Sequence, residues 1–123
     1  MFKKMIGSKL VDFKNNSFVV RKGNRTFSFV LLEENGDCCG FNDLISTLLI
    51  SEEDLKRNPV ITKIEEIDQC GEGSAHVVVT FFGEDRKLAQ IDSLSSSGSG
   101  WSYGACVILK CLQTSEEEII TQW

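Results

Sequence analysis

The stretch KLVDFKNNSFVVRKGNRTFSFVLL, residues 9–32, decides the fold expected of this chain. Residues 9–13 and 17–21 are strand-like runs parted by Asn15-Asn16. The second run leads into Lys22-Gly23-Asn24-Arg25, where Gly and Asn supply the backbone angles that a hairpin requires. In residues 26–32, Phe27, Phe29 and Leu31 alternate with Thr26 and Ser28, which places the apolar side chains on one face of a strand. The three runs together predict an antiparallel meander.

Working outward, residues 33–40 form a polar connection containing Asn35-Gly36-Asp37. Phe41, Leu44, Ile45, Leu48 and Leu49 then follow helical spacing, with Asn42, Asp43, Ser46 and Thr47 opposite, so an amphipathic helix docked on the sheet is expected. Ser51 reads as the N-cap of a second short helix with Glu52, Glu53 and Asp54 in its first turn, and Pro59 limits it. Strands return over residues 60–68, 75–82, 86–94 and 104–112, and Gly83-Glu84-Asp85 is a hairpin turn. On the last strand Ala105, Val107, Leu109 and Cys111 share a face. Residues 95–100 are Ser and Gly only, a flexible loop that carries Trp101 and Tyr103 at its far end. The acidic residues 114–123 are expected to be frayed or helical. The resulting fold class is α+β, mainly antiparallel sheet of about six to seven strands with one or two short helices. It forms a single domain over 1–113, followed by an acidic tail over 114–123.

With 123 residues the chain suits one domain, and a chain of this size buries roughly two-thirds of its unfolded surface without a metal or disulfide staple. Hydrophobic residues at 41% and charged residues at 25% place it among ordered globular proteins. No secretory pattern follows Lys3, Lys4 and Lys9, and the longest apolar runs are strand-sized, so a cytoplasmic protein with no membrane partner is expected. The five cysteines accordingly read as reduced thiols. A bond between adjacent Cys38 and Cys39 would be strained, and the preferred reading makes them a buried thiol and its neighbour at a strand-to-helix corner. Cys106 and Cys111 point to opposite faces of one strand, and no cysteine pair has zinc-ligand spacing. Charge is uneven. Residues 1–28 carry seven basic side chains against Asp12, a net of +6, whereas the remainder carries six basic and 17 acidic residues, a net of −11. Most of these charges are solvated surface, but the asymmetry also suits an anionic ligand at one end or a basic protein against an acidic face.

Chemistry-bearing patterns are sparse. His76, the only histidine, lies inside a strand pattern with no nucleophile context, so a hydrogen-bonded strand histidine is the preferred reading. Glu52-Glu53-Asp54 and Glu116-Glu117-Glu118 have no acid–base spacing, and neither a P-loop nor a dinucleotide fingerprint is present. No enzyme activity, catalytic residue, metal or cofactor is therefore expected. The loop ending in Trp101 and Tyr103 is the best candidate surface: amides at Ser99 and Gly100 approach phosphate closely, and the aromatic rings stack on a base. Arg21, Arg25, Arg57 and Arg86 are candidate phosphate grips.

Several motifs resemble a small family of phage and prophage proteins of unknown function. They are Met5-Ile6-Gly7-Ser8-Lys9-Leu10-Val11, Gly36-Asp37-Cys38-Cys39, the acidic helix followed by Ile64-Glu65-Glu66-Ile67, and the loop over 95–103. The resemblance covers residues 5–112, and the Asp-Cys-Cys element is its most specific part. The family is similar to the first group of Thoeris anti-defence proteins. That similarity implies a phage counter-defence sponge: an oligomer of identical chains, in the host bacterial cytoplasm, that holds a cyclic ADP-ribose-type or cyclic nucleotide signal without cleaving it. Ser99 stands where the family carries asparagine, and Asp92-Ser93-Leu94 replaces the basic and aromatic residues before the loop. The expected ligand contacts are Trp101, Tyr103, Ser99, Gly100, Arg25, Arg57 and Arg86, and direct nucleic-acid binding is not expected. The alternative is an acidic protein-binding inhibitor, such as an anti-CRISPR protein, motivated by the −11 balance after residue 28.

Overall fold

A computed structural model describes residues 1–34, 41–69, 74–96 and 105–123. A short 3₁₀ helix, Phe2–Met5, precedes strands β1 (Lys9–Lys14), β2 (Ser17–Lys22), β3 (Arg25–Glu34) and β4 (Phe41–Leu48). Helix α1 (Glu52–Lys56) follows, and then β5 (Lys63–Asp68), β6 (Ser74–Phe82), β7 (Lys87–Ser96), β8 (Cys106–Cys111) and β9 (Glu117–Gln122). The strands form two antiparallel sheets, one in the order β1-β2-β3-β8-β9 and the other β4-β7-β6-β5. Their inner faces pack together as a sandwich.

The meander over residues 9–32 forms as its turns require. Gly23, with φ of 63°, takes the first central position of the β2–β3 turn, where a type II′ hairpin needs a positive φ. Phe13, Phe18 and Phe29 then lie side by side across three strands. The Phe13–Phe18 and Phe18–Phe29 rings stack at 5.8 and 5.1 Å between centroids. Phe81 of β6 meets this row edge-on from the second sheet, 5.4 Å from Phe18, and Phe2 meets Phe81 at 5.9 Å. Leu10, Val20, Leu31, Val79, Leu88, Ile91 and Leu109 complete the core. Ser51 caps α1 by accepting from the Asp54 amide, the cap read from the sequence.

Three expectations are corrected. The helix expected over residues 41–49 is strand β4, with Asn42, Leu44, Ser46 and Leu48 directed inward and Phe41, Asp43, Ile45 and Thr47 outward. Here two periodicities competed: the same apolar residues satisfy helical spacing, but eight consecutive partners on β7 satisfy the backbone of a strand. β-branched Ile45 and Thr47 also favour that outcome. The strand-to-helix corner expected after Cys39 is thus followed by a strand, and Cys38 and Cys39 themselves lie outside the described residues. Residues 117–122 of the acidic tail are neither frayed nor helical: β9 pairs along β8, and Thr121 is buried. Finally, Ser95 and Ser96 belong to β7 rather than to the loop. The sheets therefore hold nine strands among the described residues, more than the six to seven expected, and one short α-helix.

The buried serines of β7 have a specific use. Ser93 Oγ and Ser95 Oγ each lie 2.8 Å from Thr121 Oγ1, and Ser95 Oγ donates to Asn42 Oδ1 at 2.6 Å. Asn42 Nδ2 in turn donates to the Glu34 carbonyl at 2.9 Å. This chain of hydroxyls ties β4, β7 and β9 together where small side chains line both sheets, and its mutual hydrogen bonds offset the cost of burying it. No helix among the described residues is long and apolar enough to cross a membrane.

Urea unfolding checks this assignment. Phe18→Ala is expected to lose about 3–5 kcal/mol and Ser95→Ala about 1–3 kcal/mol. Ile45→Thr, at an outward-facing position, is expected to stay within about 0.5 kcal/mol of the parent; a helical segment 41–49 docked on the sheet would make it costly.

Candidate anion-binding site

Strand register sorts the candidate residues to two ends of the sandwich. Glu34 of β3, Phe41 of β4, Ser74 of β6, Ser96 of β7 and Cys106 of β8 are neighbours at one end. Ser96 and Ala105, which flank Ser99, Gly100, Trp101 and Tyr103 in sequence, are both at this end. Those four residues lie outside the described residues. The β2–β3 turn, the start of β1, α1 and the β6–β7 turn occupy the opposite end. Because β3 and β7 are ten residues long, the two ends stand about 30 Å apart.

Arg25, Arg57 and Arg86 all sit at this second end, and the structure gives each a local role. Arg86 pairs with Asp54 at 2.9 Å, tying the β6–β7 turn to α1. The hydrogen bond from Arg86 is the main cause holding the Asp54 carboxyl below its ordinary value, aided by the charges of Arg86 and Arg57 and by the Ser51 hydroxyl, against partial desolvation. Arg57 forms the C-cap of α1, its backbone N–H donating to the Asp54 carbonyl at 3.1 Å. The Arg25 guanidinium stands 5.9 Å from the Phe27 ring centroid. Within one chain these arginines and the described ends of the 97–104 loop are not brought together.

A different pair is brought together. Phe13 and Leu10 both point into the core, a spacing of three that a regular strand cannot provide. A β-bulge between Leu10 and Asp12 resolves it by inserting Val11 as an extra residue. The bulge shifts the pairing so that Lys9 stands directly opposite Arg21, which stands opposite Thr26. Two like charges thus face each other on the outer side of the sheet, an arrangement that costs stability. Among the described residues neither has a carboxylate within ion-pair distance. Both line a cleft of about 600 Å³ with Gly7, Gly23, Asn24 and Thr26. Two cations, an amide and a hydroxyl converging on open space can hold an anion, with Arg21 offering a planar fork and Lys9 a mobile point charge.

Elsewhere, His76 Nε2 lies 2.6 Å from Asp92 Oδ1, a diagonal contact across β6 and β7. No serine or cysteine among the described residues bonds this imidazole, so the pair works as a cross-strand clamp. The Cys106 thiol is pushed up by burial and then by the Glu34 carboxylate, to which it donates at 3.7 Å. It is therefore a thiol at neutral pH. Among the described residues no three His, Cys, Asp or Glu side chains group as metal ligands.

The sequence offers Arg21 as a candidate phosphate grip but does not show that it stands opposite Lys9. A hairpin continued regularly from the Asn15-Asn16 turn puts Lys9 opposite Lys22, and only the bulge moves it to Arg21. The signal that could have revealed this is the inward pair Leu10 and Phe13 at the wrong period for a strand. No family model, curated protein or solved structure matches the chain.

The Asp54 contact is checked by a carboxyl NMR titration. Asp54 should titrate below 3.8, and Arg86→Gln should bring it back towards that value. Since the folded carboxyl is the stronger acid, its contribution to stability is present above the ordinary value and lost as pH falls through the lowered one. Arg86→Gln should accordingly flatten the acid limb of the stability profile.

Proposed function

We propose that this chain is a non-catalytic binding domain that captures a small phosphate-bearing molecule in the Lys9–Arg21 cleft. The observation that carries the reading is the pair of opposed, acid-free cations created by the β1 bulge. Such a pair is destabilising when empty and is relieved by an anion, so ligand binding offsets its cost. The +6 balance of residues 1–28 extends the positive field around the cleft and speeds capture of anions.

The resemblance of Gly36-Asp37-Cys38-Cys39 and of the 95–103 loop supports a sharper form of the proposal. In it the chain is a phage-encoded sponge that sequesters a cyclic ADP-ribose-type or cyclic nucleotide immune signal in the host bacterial cytoplasm. The distance between the two ends of the sandwich bears on the assembly. If Trp101 and Tyr103 of one chain hold the base while basic residues hold the phosphates, those residues come from another chain, and the sponge is an oligomer.

A second reading, an acidic inhibitor that binds a basic protein, draws on the outer face of the β4-β7-β6-β5 sheet. There exposed Phe41, Ile45 and Ile67 lie among Asp43, Glu65 and Asp92. Such a complex would weaken as salt rises.

Calorimetry against cyclic ADP-ribose, ADP-ribose and a set of cyclic dinucleotides tests the first reading. At least one is expected to bind, to be recovered intact, and to bind about tenfold or more weakly to Arg21→Gln. Binding unchanged in Arg21→Gln and Lys9→Gln would move the site away from the cleft, and no binding by any of them would leave the acidic inhibitor as the better reading.

A further inference from the structure

The inner side of the same hairpin holds a second, chemically different cavity. Arg21 faces the polar cleft, while its neighbours Val20 and Lys22 face a pocket of about 290 Å³. Its walls are Val20, Phe27, Phe29 and Cys111 of the first sheet, closed over by Met1 and Met5 of the N-terminal segment. The pocket lies where Phe81 of the second sheet covers Phe18 but the tip of the β2–β3 hairpin is covered by the N-terminal segment and the β8–β9 turn residues Thr114 and Glu116. At roughly the 30 Å³ that one water occupies in the liquid, the space suits about ten heavy atoms. An apolar cavity of half this size already takes up a small hydrocarbon ring.

Its mouth is charged. Lys4, Lys22 and Glu116 line it, and Arg25, opposite Lys22 in register, stands over the Phe27 ring that forms one wall. Lys4 lies 3.8 Å from Glu116. Lys22 Nζ has only a carbonyl, that of Lys4 at 3.4 Å, and Arg25 has no carboxylate partner among the described residues. Lys4 and Lys22 thus stand at the mouth against Glu116, with Arg25 beside them over the Phe27 ring. The Met1 ammonium is already paired with Glu118 at 2.7 Å, and the remaining walls are mainly apolar apart from Ser8 and Thr114. Apolar walls with a few charged groups at one end describe a site for a small amphipathic molecule.

We propose that this pocket binds a small amphipathic carboxylate, its hydrocarbon part among Met1, Met5, Val20, Phe27 and Phe29 and its carboxylate between Lys22 and Arg25. The site is independent of the Lys9–Arg21 cleft and of the function proposed for it.

The chain's two methionines both line the pocket, so methyl-¹³C methionine reports on it directly. Octanoate is the probe, because its ten heavy atoms match the volume. Both methionine methyl resonances are expected to move saturably with octanoate and to stay still with inorganic phosphate. Octanol is expected to bind about fivefold more weakly at low salt, the scale of an exposed charge contact. Lys22→Gln and Arg25→Gln should each weaken octanoate and leave octanol unchanged, whereas Val20→Phe should block both by filling the cavity. The two charge variants are at exposed positions and keep the test decisive if Val20→Phe fails to fold. Methionine resonances that do not respond to octanoate in folded protein overturn the proposal. So does equal affinity for octanoate and octanol, which would make the cavity a purely apolar space.

Discussion

The contact between the Phe13–Phe18–Phe29 row and Phe81 is the constraint on which the rest of the structure depends. Three rings from successive strands can lie side by side only if β1, β2 and β3 keep one register. A slip of one residue in any of them would send a phenylalanine to solvent. Phe81 then fixes the distance and angle of the second sheet by packing edge-on against the row, the favourable geometry for aromatic quadrupoles. The bulge in β1 follows from the same demand. Leu10 must reach the core beside Phe13, and the extra residue this requires is what sets Lys9 opposite Arg21. The basic cleft is therefore a by-product of packing on the other side of the sheet.

The two ends of the sandwich are held by different chemistry. At the Glu34 end the interior narrows to small residues and a chain of hydroxyls, Ser93, Thr121 and Ser95, joined to Asn42. Such a chain is directional, so it specifies how β4, β7 and β9 sit against one another more sharply than apolar contact would. At the other end Leu10, Ile50, Leu55, Ile61 and Leu88 are buried, apolar packing leaves a local gap beneath the 3₁₀ helix, and ion pairs and backbone bonds tie the pieces together. Asp54 to Arg86 anchors α1, and the Gly7 amide donates to the Ile61 carbonyl at 2.8 Å. A cavity and a cleft at this end fit that pattern, because space for a ligand requires a place where the core is not closed by its own side chains.

Charge follows this division only in part. Of the basic residues of 1–28, Lys3, Lys4, Lys9, Arg21, Lys22 and Arg25 lie in the N-terminal segment, at the start of β1 or beside the β2–β3 turn, while Lys14 sits at the β1–β2 turn with Asp12. Lys9 and Arg21 at the cleft have no acidic partner among the described residues. Among the described acidic residues, Asp43, Glu65 and Asp92 lie on the outer face of the second sheet and Glu116, Glu117 and Glu118 at the β8–β9 turn and the start of β9. Glu52, Glu53 and Asp54 of α1 and Glu84 and Asp85 of the β6–β7 turn, by contrast, stand at the same end as the cleft.

Local signals were sufficient wherever one periodicity had no rival. The meander, the Gly23 turn, the Ser51 cap and the buried face of β8 were all readable because alternation, turn chemistry and capping act within a few residues. They also made the β-rich class legible. The sequence could equally show that Arg21 and Arg25 are basic residues beside a turn. It could not show that Phe41–Leu48 is a strand, since its apolar residues satisfy two periods and the choice rests on hydrogen bonds to β7, some fifty residues away. Nor could it show that Thr121 draws the acidic C-terminal segment into the first sheet, or that Lys9 meets Arg21. By itself the sequence determined the meander of β1 to β3 with its turns, the Ser51 cap and the β-rich class, where one local periodicity had no rival, but not that residues 41–48 and 117–122 are extended. Only the tertiary structure decided which strands pair and in what register, because pairing is set by long-range burial and by bulges that local patterning does not encode.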